Sequence, residues 1–263
     1  MRGKLRLFCA VAAMLPVSLV LVPWLWACRK LNLRGARTAP RLWYRCALRA
    51  LGWRLRHEGR MAEARPLLIV ANHVSWGDIV VLGALEELTF IAKSEVASWP
   101  VIGWLAKLQR TIFVERERRN KAAAQAGEIA GRLDEHLPAV LFAEGTTGDG
   151  NHLLPFKSSL FGALALNKSA PVTVQPVSIA YTRLYGVPMG TWERNIASWV
   201  GERSLGFHLD LLSAHGPLDV ELRWGEPLIL PERFDRKYTA ASAEGAIRAM
   251  MAEQLRQRPV QAP

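Results

Sequence analysis

Along the chain, short apolar runs alternate with stretches whose apolar residues recur every three or four positions. "PLLIVAN" (66–72) is continuously apolar, as in a strand buried on both faces. Further strands are predicted at 89–96, 110–116, 138–145, 172–182 (interrupted by Pro176) and 219–230. Between them, "DIVVLGALEE", "PVIGWLAKL" and "SSLFGALALN" read as helices, with Pro100 placed in a first turn. From 117 to 137, Ala122, Ala126, Ile129, Leu133 and Leu137 keep helical spacing while charged residues fill the other faces. "SAEGAIRAMMAEQLRQ" is a closing helix. Strands alternating with helices predict an α/β fold, a largely parallel mixed sheet flanked by helices. Residues 183–218 fit neither pattern and read as an excursion near a membrane.

The front of the chain differs. Leu7 to Cys28 carries no charge across 22 residues, and about 20 suffice to cross a bilayer core. "RLWYRCALRALGWRLR" (41–56) then places Arg41, Arg45 and Arg49 every four residues beside Trp43, Leu48, Leu51 and Trp53. That predicts a basic amphipathic helix at a headgroup layer. The division expected is a membrane anchor and basic arm over 1–60 and the main domain over 61–263. A cleaved signal peptide is the alternative for 7–28, but the run is long and basic residues follow at once, which favours a retained anchor. Pro16 and Pro23 also allow a bent hairpin dipping into one leaflet.

Charge sharpens this division. The 263 residues carry a formal charge of +11, yet residues 1–60 hold thirteen Lys/Arg against Glu58 alone, which leaves the body near neutral. A basic arm joined to an apolar helix points to a membrane rather than nucleic acid. The heavier positive charge after the apolar run predicts a body on the cytoplasmic face. Cys9, Cys28 and Cys46 all lie in the arm, so the body has neither a disulfide framework nor a cysteine metal site.

The candidate chemistry begins at "ANHVSWGDIVVL" (71–82). Five residues of ideal helix would turn His73 and Asp78 well apart, so they meet only across a strand–loop–helix junction. A histidine held in one tautomer by a carboxylate can accept a proton from an alcohol through its other nitrogen. No "GxSxG" elbow and no nearby cysteine is present, which suggests activation of a substrate hydroxyl. The plainer reading is that His73 packs at a strand end while Asp78 caps a helix. Ligand sites in such folds form at the carboxyl ends of strands, and "FVER", "FAEGTTGDGN" and "VQPV" place polar groups at other strand ends.

Four segments in order resemble the glycerolipid and lysophospholipid acyltransferases, which include 1-acylglycerol-3-phosphate acyltransferase. "NHVSWGD" resembles the family's "NHxxxxD", "RTIFVER" its second block, "FAEGTTGDGNHLLPFKSSLF" its "FPEGTRS" block and "VQPVSI" its Val-Pro strand. The resemblance covers residues 71–179. It implies that His73 is the general base, Asp78 its orienting partner, and Arg116 the group that binds the acceptor headgroup. Glu144, Gly145 and Thr146 would shape the acceptor pocket. The donor implied is an acyl thioester on coenzyme A or acyl carrier protein, with no metal or tightly bound cofactor, and the acceptor a membrane lysolipid.

Departures from the family pattern narrow the acceptor. Arg110 stands where glycine usually opens the second block; Ala143, Thr147 and Gly148 replace the usual proline, arginine and serine. Losing that arginine removes a bidentate phosphate partner. The wording of both blocks resembles the branch that acylates lyso-ornithine lipid, whose headgroup carries no phosphate. Two other classes remain: a non-catalytic lipid-binding protein, for which an intact His–Asp pair has no use, and a membrane-surface hydrolase activating water. Lys157 reads as either a headgroup contact or an exposed side chain. His57, His136, His208 and His215 lack metal-ligand spacing, and Asp149-Gly150 reads as a turn.

Overall fold

The central strand explains the rest of the architecture. In "LLIVA" (β2, Leu67–Ala71) every residue is buried. Leu67, Ile69 and Ala71 pack into one apolar cluster, Leu68 and Val70 into another. A period of two on a strand with no polar face requires cover on both sides, and full burial of each such side chain contributes about 1.5–3 kcal/mol. The first cluster is closed by Tyr44, Ala47 and Leu48 and by Val80, Val81 and Leu82. The second is closed by Phe161 and by Ala243, Ile247 and Met251.

The computed structural model describes residues 2–33, 35–100, 102–114, 127, 129, 131, 133, 137–166, 171–201, 203–230 and 234–256. Helices α1 (Arg2–Lys30) and α2 (Gly35–Ala50) come first, then β1 (Arg54–Glu58), β2 and α3 (Gly77–Leu85). Next are β3 (Thr89–Lys93), a 3-10 segment (Ser94–Ser98), α4 (Ile102–Leu108), β4 (Ile112–Val114) and β5 (Ala139–Phe142). A second 3-10 segment (Ser158–Leu166) leads to β6 (Thr173–Leu184) and β7 (Val187–Pro188). A third (Glu193–Ile196) precedes α5 (Leu205–His215), β8 (Leu218–Trp224) and α6 (Arg236–Leu255).

The sheet order is β1-β8-β6-β2-β5-β3-β4, with β7 paired to β6. Among the described residues, only the β6–β8 and β6–β7 pairings are antiparallel, so the sheet is mixed and largely parallel, as the alternation predicts. Register matters most at one end: Ala71 lies beside Phe142 on one flank and Val177 on the other. The residues that follow Ala71 and Phe142 therefore emerge together.

Several expectations need correction. The amphipathic helix expected over 41–56 ends at Ala50, and Arg54–Glu58 forms an edge strand parallel to β8. Arginine every four residues suits a helix, but Gly52 at φ 70° stops it. Part of its apolar face packs inward: Tyr44, Ala47, Leu48 and Trp53 are core residues, while Leu42 stays exposed. Pro176 does not interrupt its strand. It sits just outside the β8 ladder, which begins at Val177, and its carbonyl accepts the Gly225 N–H at 2.9 Å. The segment at 183–218 is not an excursion. It supplies the end of β6, β7, a 3-10 turn and α5.

Helix α1 runs unbroken through Pro16 and Pro23, so the chain folds back after it, not within it. Trp43 of α2 donates to the Ser18 hydroxyl at 2.9 Å. At its other end, Gly3 lies so close to Ala214 that an added Cβ would sit 2.8 Å from that residue's Cα. Helix α1 is long and apolar enough to cross a membrane, and Leu5, Phe8, Val11, Leu15, Leu19 and Trp24 are exposed along it.

Candidate active site

Strand β2 ends at Ala71 and α3 starts at Gly77, so residues 72–76 form the junction that the His–Asp spacing requires. Asn72 closes the strand by bonding both backbone groups of Ile179, accepting from its N–H (2.8 Å) and donating to its carbonyl (2.9 Å). Asp78, in the first turn of α3, folds its carboxylate back over the loop. Its Oδ2 accepts from His73 Nδ1 (2.8 Å), Val74 N–H (2.6 Å) and Ser75 N–H (3.0 Å). Its Oδ1 accepts the Tyr181 hydroxyl at 2.9 Å. The Asp78 side chain is fully buried, while 18% of the His73 side chain is exposed. A carboxylate only accepts, so the proton on this edge of the ring belongs to Nδ1, and in the neutral imidazole the lone pair is left on Nε2.

Gly77 is required here. A Cβ at that position would lie 2.6 Å from both the Trp53 ring and the Tyr181 hydroxyl, displacing the tyrosine from Asp78. Burial raises the Tyr181 phenol well above its ordinary range, and the adjacent Asp78 charge adds to this. The phenol therefore stays a donor across all working pH.

Glu144 follows β5 and is buried. Its Oε1 accepts the His73 N–H at 2.6 Å, and its Oε2 accepts the Leu154 N–H at 2.9 Å. Burial pushes this carboxyl up to about 7, the two backbone donors pull it down, and the Asp78 and Asp149 charges raise it further. The His73 carbonyl accepts from Gly148 N–H at 2.7 Å, and the His73 ring stacks on Phe142 at 4.0 Å between centroids. His73 is thus held at its N–H, its carbonyl, its ring face and Nδ1. Gly145, at φ 75°, makes the turn that lets the chain pass beneath Lys157.

Of the sequence-derived candidates, His73, Asp78 and Glu144 converge, and Gly145 and the exposed Thr146 continue the same loop. Arg116 lies outside the described residues. Thr147 donates its hydroxyl to the Trp199 carbonyl, and Trp199 N–H donates to the Val74 carbonyl at 2.9 Å. The segment left unassigned in the sequence therefore ties the two loops together. Trp76 donates to Nδ1 of buried His208 at 3.0 Å, and His208 stacks on Trp199. Burial lowers His208, keeping it neutral as an acceptor for the indole. Asp149 Oδ1 accepts from the N–H groups of Asn151 and His152, both at 2.8 Å, which is turn chemistry.

Sequence reasoning missed Tyr181. It lies at the polar end of "VQPVSIAYT", eight residues past Thr173 where the strand begins, and nothing in its spacing to Asp78 signals contact. Only the β2–β6 register brings them together.

An acyltransferase family model matches residues 54–180. The chain is 48% identical over 255 residues to a lyso-ornithine lipid O-acyltransferase of Brucella abortus, covering 95% of this chain and 96% of that one. It is 44% identical to another of that name from Rhizobium meliloti, over 92% of this chain and 84% of that one. Its fold resembles the crystal structure of the 1-acyl-sn-glycerophosphate acyltransferase from Thermotoga maritima, with a TM-score of 0.67 at 22% identity, covering 98% and 99% of the two chains. A braced histidine with one free nitrogen at a strand end thus sits inside a chain that belongs, over nearly its whole length, to the acyltransferase family.

Proposed function

We propose that this protein moves a fatty acyl chain from an acyl thioester, carried on coenzyme A or acyl carrier protein, to the free hydroxyl of lyso-ornithine lipid. The observation that carries the chemistry is the His73–Asp78 pair, with Nδ1 committed to the carboxylate at 2.8 Å. Nε2 takes the acceptor's hydroxyl proton as its oxygen attacks the thioester carbonyl carbon. The tetrahedral oxyanion then collapses, the carbon–sulfur bond breaks, and the departing thiolate recovers the proton from the imidazolium. Asp78 stabilises the imidazolium between these steps. The thioester brings its own leaving group, so the step needs neither a metal nor a tightly bound cofactor.

The acceptor is argued from the third block and from the relatives' names. Phosphate recognition favours a guanidinium fork, and at the position where the family usually has arginine this chain has Thr147, spent on the Trp199 carbonyl. Arg116 would then meet the ornithine carboxylate. The exposed apolar stripe of α1 would hold the enzyme in the bilayer, with the body on the cytoplasmic face.

A competition between lyso-ornithine lipid and 1-acylglycerol-3-phosphate for one acyl donor tests this reading. The ornithine acceptor is expected to show the higher kcat/KM, and Thr147→Arg to shift the ratio toward phosphate. Preference for 1-acylglycerol-3-phosphate would overturn the ornithine assignment. Acyl release to water at the same rate without either acceptor would point to a hydrolase instead.

A further inference from the structure

The end of the sheet opposite His73 holds a cavity of about 940 Å³. Its walls come from the C-terminal end of α1, one stripe of α2, the end of α3 and the segments entering β2, β3 and β5. The site at His73 lies past the carboxyl ends of β2 and β5; Arg65, Leu88 and Pro138 of the cavity precede the strands' starts. Five residues of β2, at about 3.3 Å each, separate the two ends by roughly 17 Å.

The cavity is electrostatically lopsided. Arg29, Arg37, Arg41, Arg65 and Arg110 line it against only Glu86 and Glu87. Arg37 approaches Glu87 at 3.8 Å. Burial raises the Glu87 carboxyl although Arg37, Arg29, Arg41 and Arg110 all pull it down. The cavity therefore keeps an excess of positive charge. Arg41 Nε is buried and meets no hydrogen-bond partner, a donor whose desolvation would be offset by an incoming anion. Arg110 adopts φ 64°, a left-handed conformation that costs a non-glycine residue about 1–2 kcal/mol. It occupies the position where the resembled family usually has glycine. The left-handed residue ends α4, with Thr111 N–H on the Ala106 carbonyl at 3.0 Å, and the turn brings Arg110 into the cavity wall beside the other arginines.

We propose that this cavity binds the phosphate of an anionic glycerophospholipid headgroup, at a site separate from the reaction. The choice of a lipid over free phosphate rests on the membrane reading of α1, whose C-terminal Cys28 and Arg29 form part of the wall. Exposed Leu31, Leu33 and Leu42 flank the same corner, offering apolar surface for acyl chains beneath the headgroup. Guanidinium forks suit phosphate oxygens in a way that lysine would not.

The test is thermal unfolding of the full chain in a neutral detergent, titrated separately with short-chain phosphatidylglycerol, short-chain phosphatidylcholine and inorganic phosphate. Detergent removes any dependence on bilayer attachment, so this outcome is independent of whether α1 holds the protein in membranes. Phosphatidylglycerol is expected to raise Tm saturably, with the other two ligands giving little shift. Arg37→Gln/Arg41→Gln should weaken its apparent affinity at least tenfold, since each arginine beside an anionic headgroup contributes about fivefold. Arg49→Gln, on the same helix but outside the cavity, should not. If the double variant does not fold, Arg110→Gly serves in its place and should weaken phosphatidylglycerol binding while relieving strain. Equal shifts with phosphatidylcholine, equal shifts with inorganic phosphate, or unchanged affinity in the cavity variants would each overturn the proposal.

Discussion

Removing one oxygen atom, in Tyr181→Phe, tests how the base is held. The hydroxyl donates to Asp78 Oδ1 at 2.9 Å, the opposite oxygen from the one that receives His73. Phenylalanine keeps the edge-on contact with Trp53, where the centroids lie 5.8 Å apart, so packing changes little. A hydrogen bond to a charged acceptor contributes about 1.5–3 kcal/mol. Spread over a chain of this size, that lowers Tm by roughly 3–12 °C. Only part of this energy reaches the transition state, because Val74 and Ser75 N–H still steady Oδ2. With about half of it felt there, at about 1.4 kcal/mol per decade, kcat should fall roughly 4- to 13-fold. KM for the donor should stay within about twofold, because the hydroxyl is buried behind Asp78 and touches no substrate. The assay is steady-state acyl transfer with purified protein, together with a melting curve. In a His73→Ala background the same change should cost almost nothing more in rate, since the two residues act as a unit. A lower Tm with kcat unchanged would reduce Tyr181 to a packing residue and refute the argument.

Three further outcomes follow from the same geometry. His73→Ala should lower kcat by about 10²–10⁴-fold, the usual contribution of a general base, with a melting temperature near that of the parent; normal turnover would end the base assignment. Glu144 sits above its ordinary carboxyl value of 4.5, at about 7, so the fold favours its protonated form. Its contribution to stability is fully present below about pH 4.5 and is lost as pH rises through about 7. The Tm of the parent minus that of Glu144→Gln should therefore fall across that window, and a flat difference would refute the assignment. Deleting residues 1–30 should leave a folded body that salt releases from anionic vesicles. Complete solubility of that truncation at low salt would mean that α2 makes no surface contact.

Most of the sheet was legible because buried strands announce themselves. "LLIVA" and "AVLF" are apolar at every position, and such a run can only be covered on both faces. The His–Asp junction was legible for a different reason, since the five-residue spacing admits contact in only one kind of local geometry. What stayed hidden depends on register and on neighbours distant in sequence. "RLRHE" carries four titratable side chains in five residues and shows no strand alternation. It pairs because β8 offers an open edge. The Trp76–His208 and Thr147–Trp199 bonds join residues 132 and 52 positions apart. Glu144 was assigned to the acceptor pocket by resemblance, yet both of its oxygens hold backbone N–H groups.

That last placement changes what the third block is for. A loop carrying a base must keep it fixed while substrates enter and leave, and the packing of Val74 in the core and of the His73 ring on Phe142 does only part of this. The rest of the bracing is polar: Glu144 grips the His73 N–H, Gly148 the His73 carbonyl, and Asp78 the loop's next two amides. Each of these bonds lies in a buried setting, where an unmade partner costs about 1–3 kcal/mol. Movement of the histidine would break several at once. The glutamate and the aspartate therefore act on the same residue from opposite sides, one on its backbone and one on its ring. Substituting glutamine for Glu144 keeps an acceptor for only one of the two amides. Its effect should fall on kcat through a loosened His73, and acceptor selectivity should remain with Thr147 and the headgroup contacts.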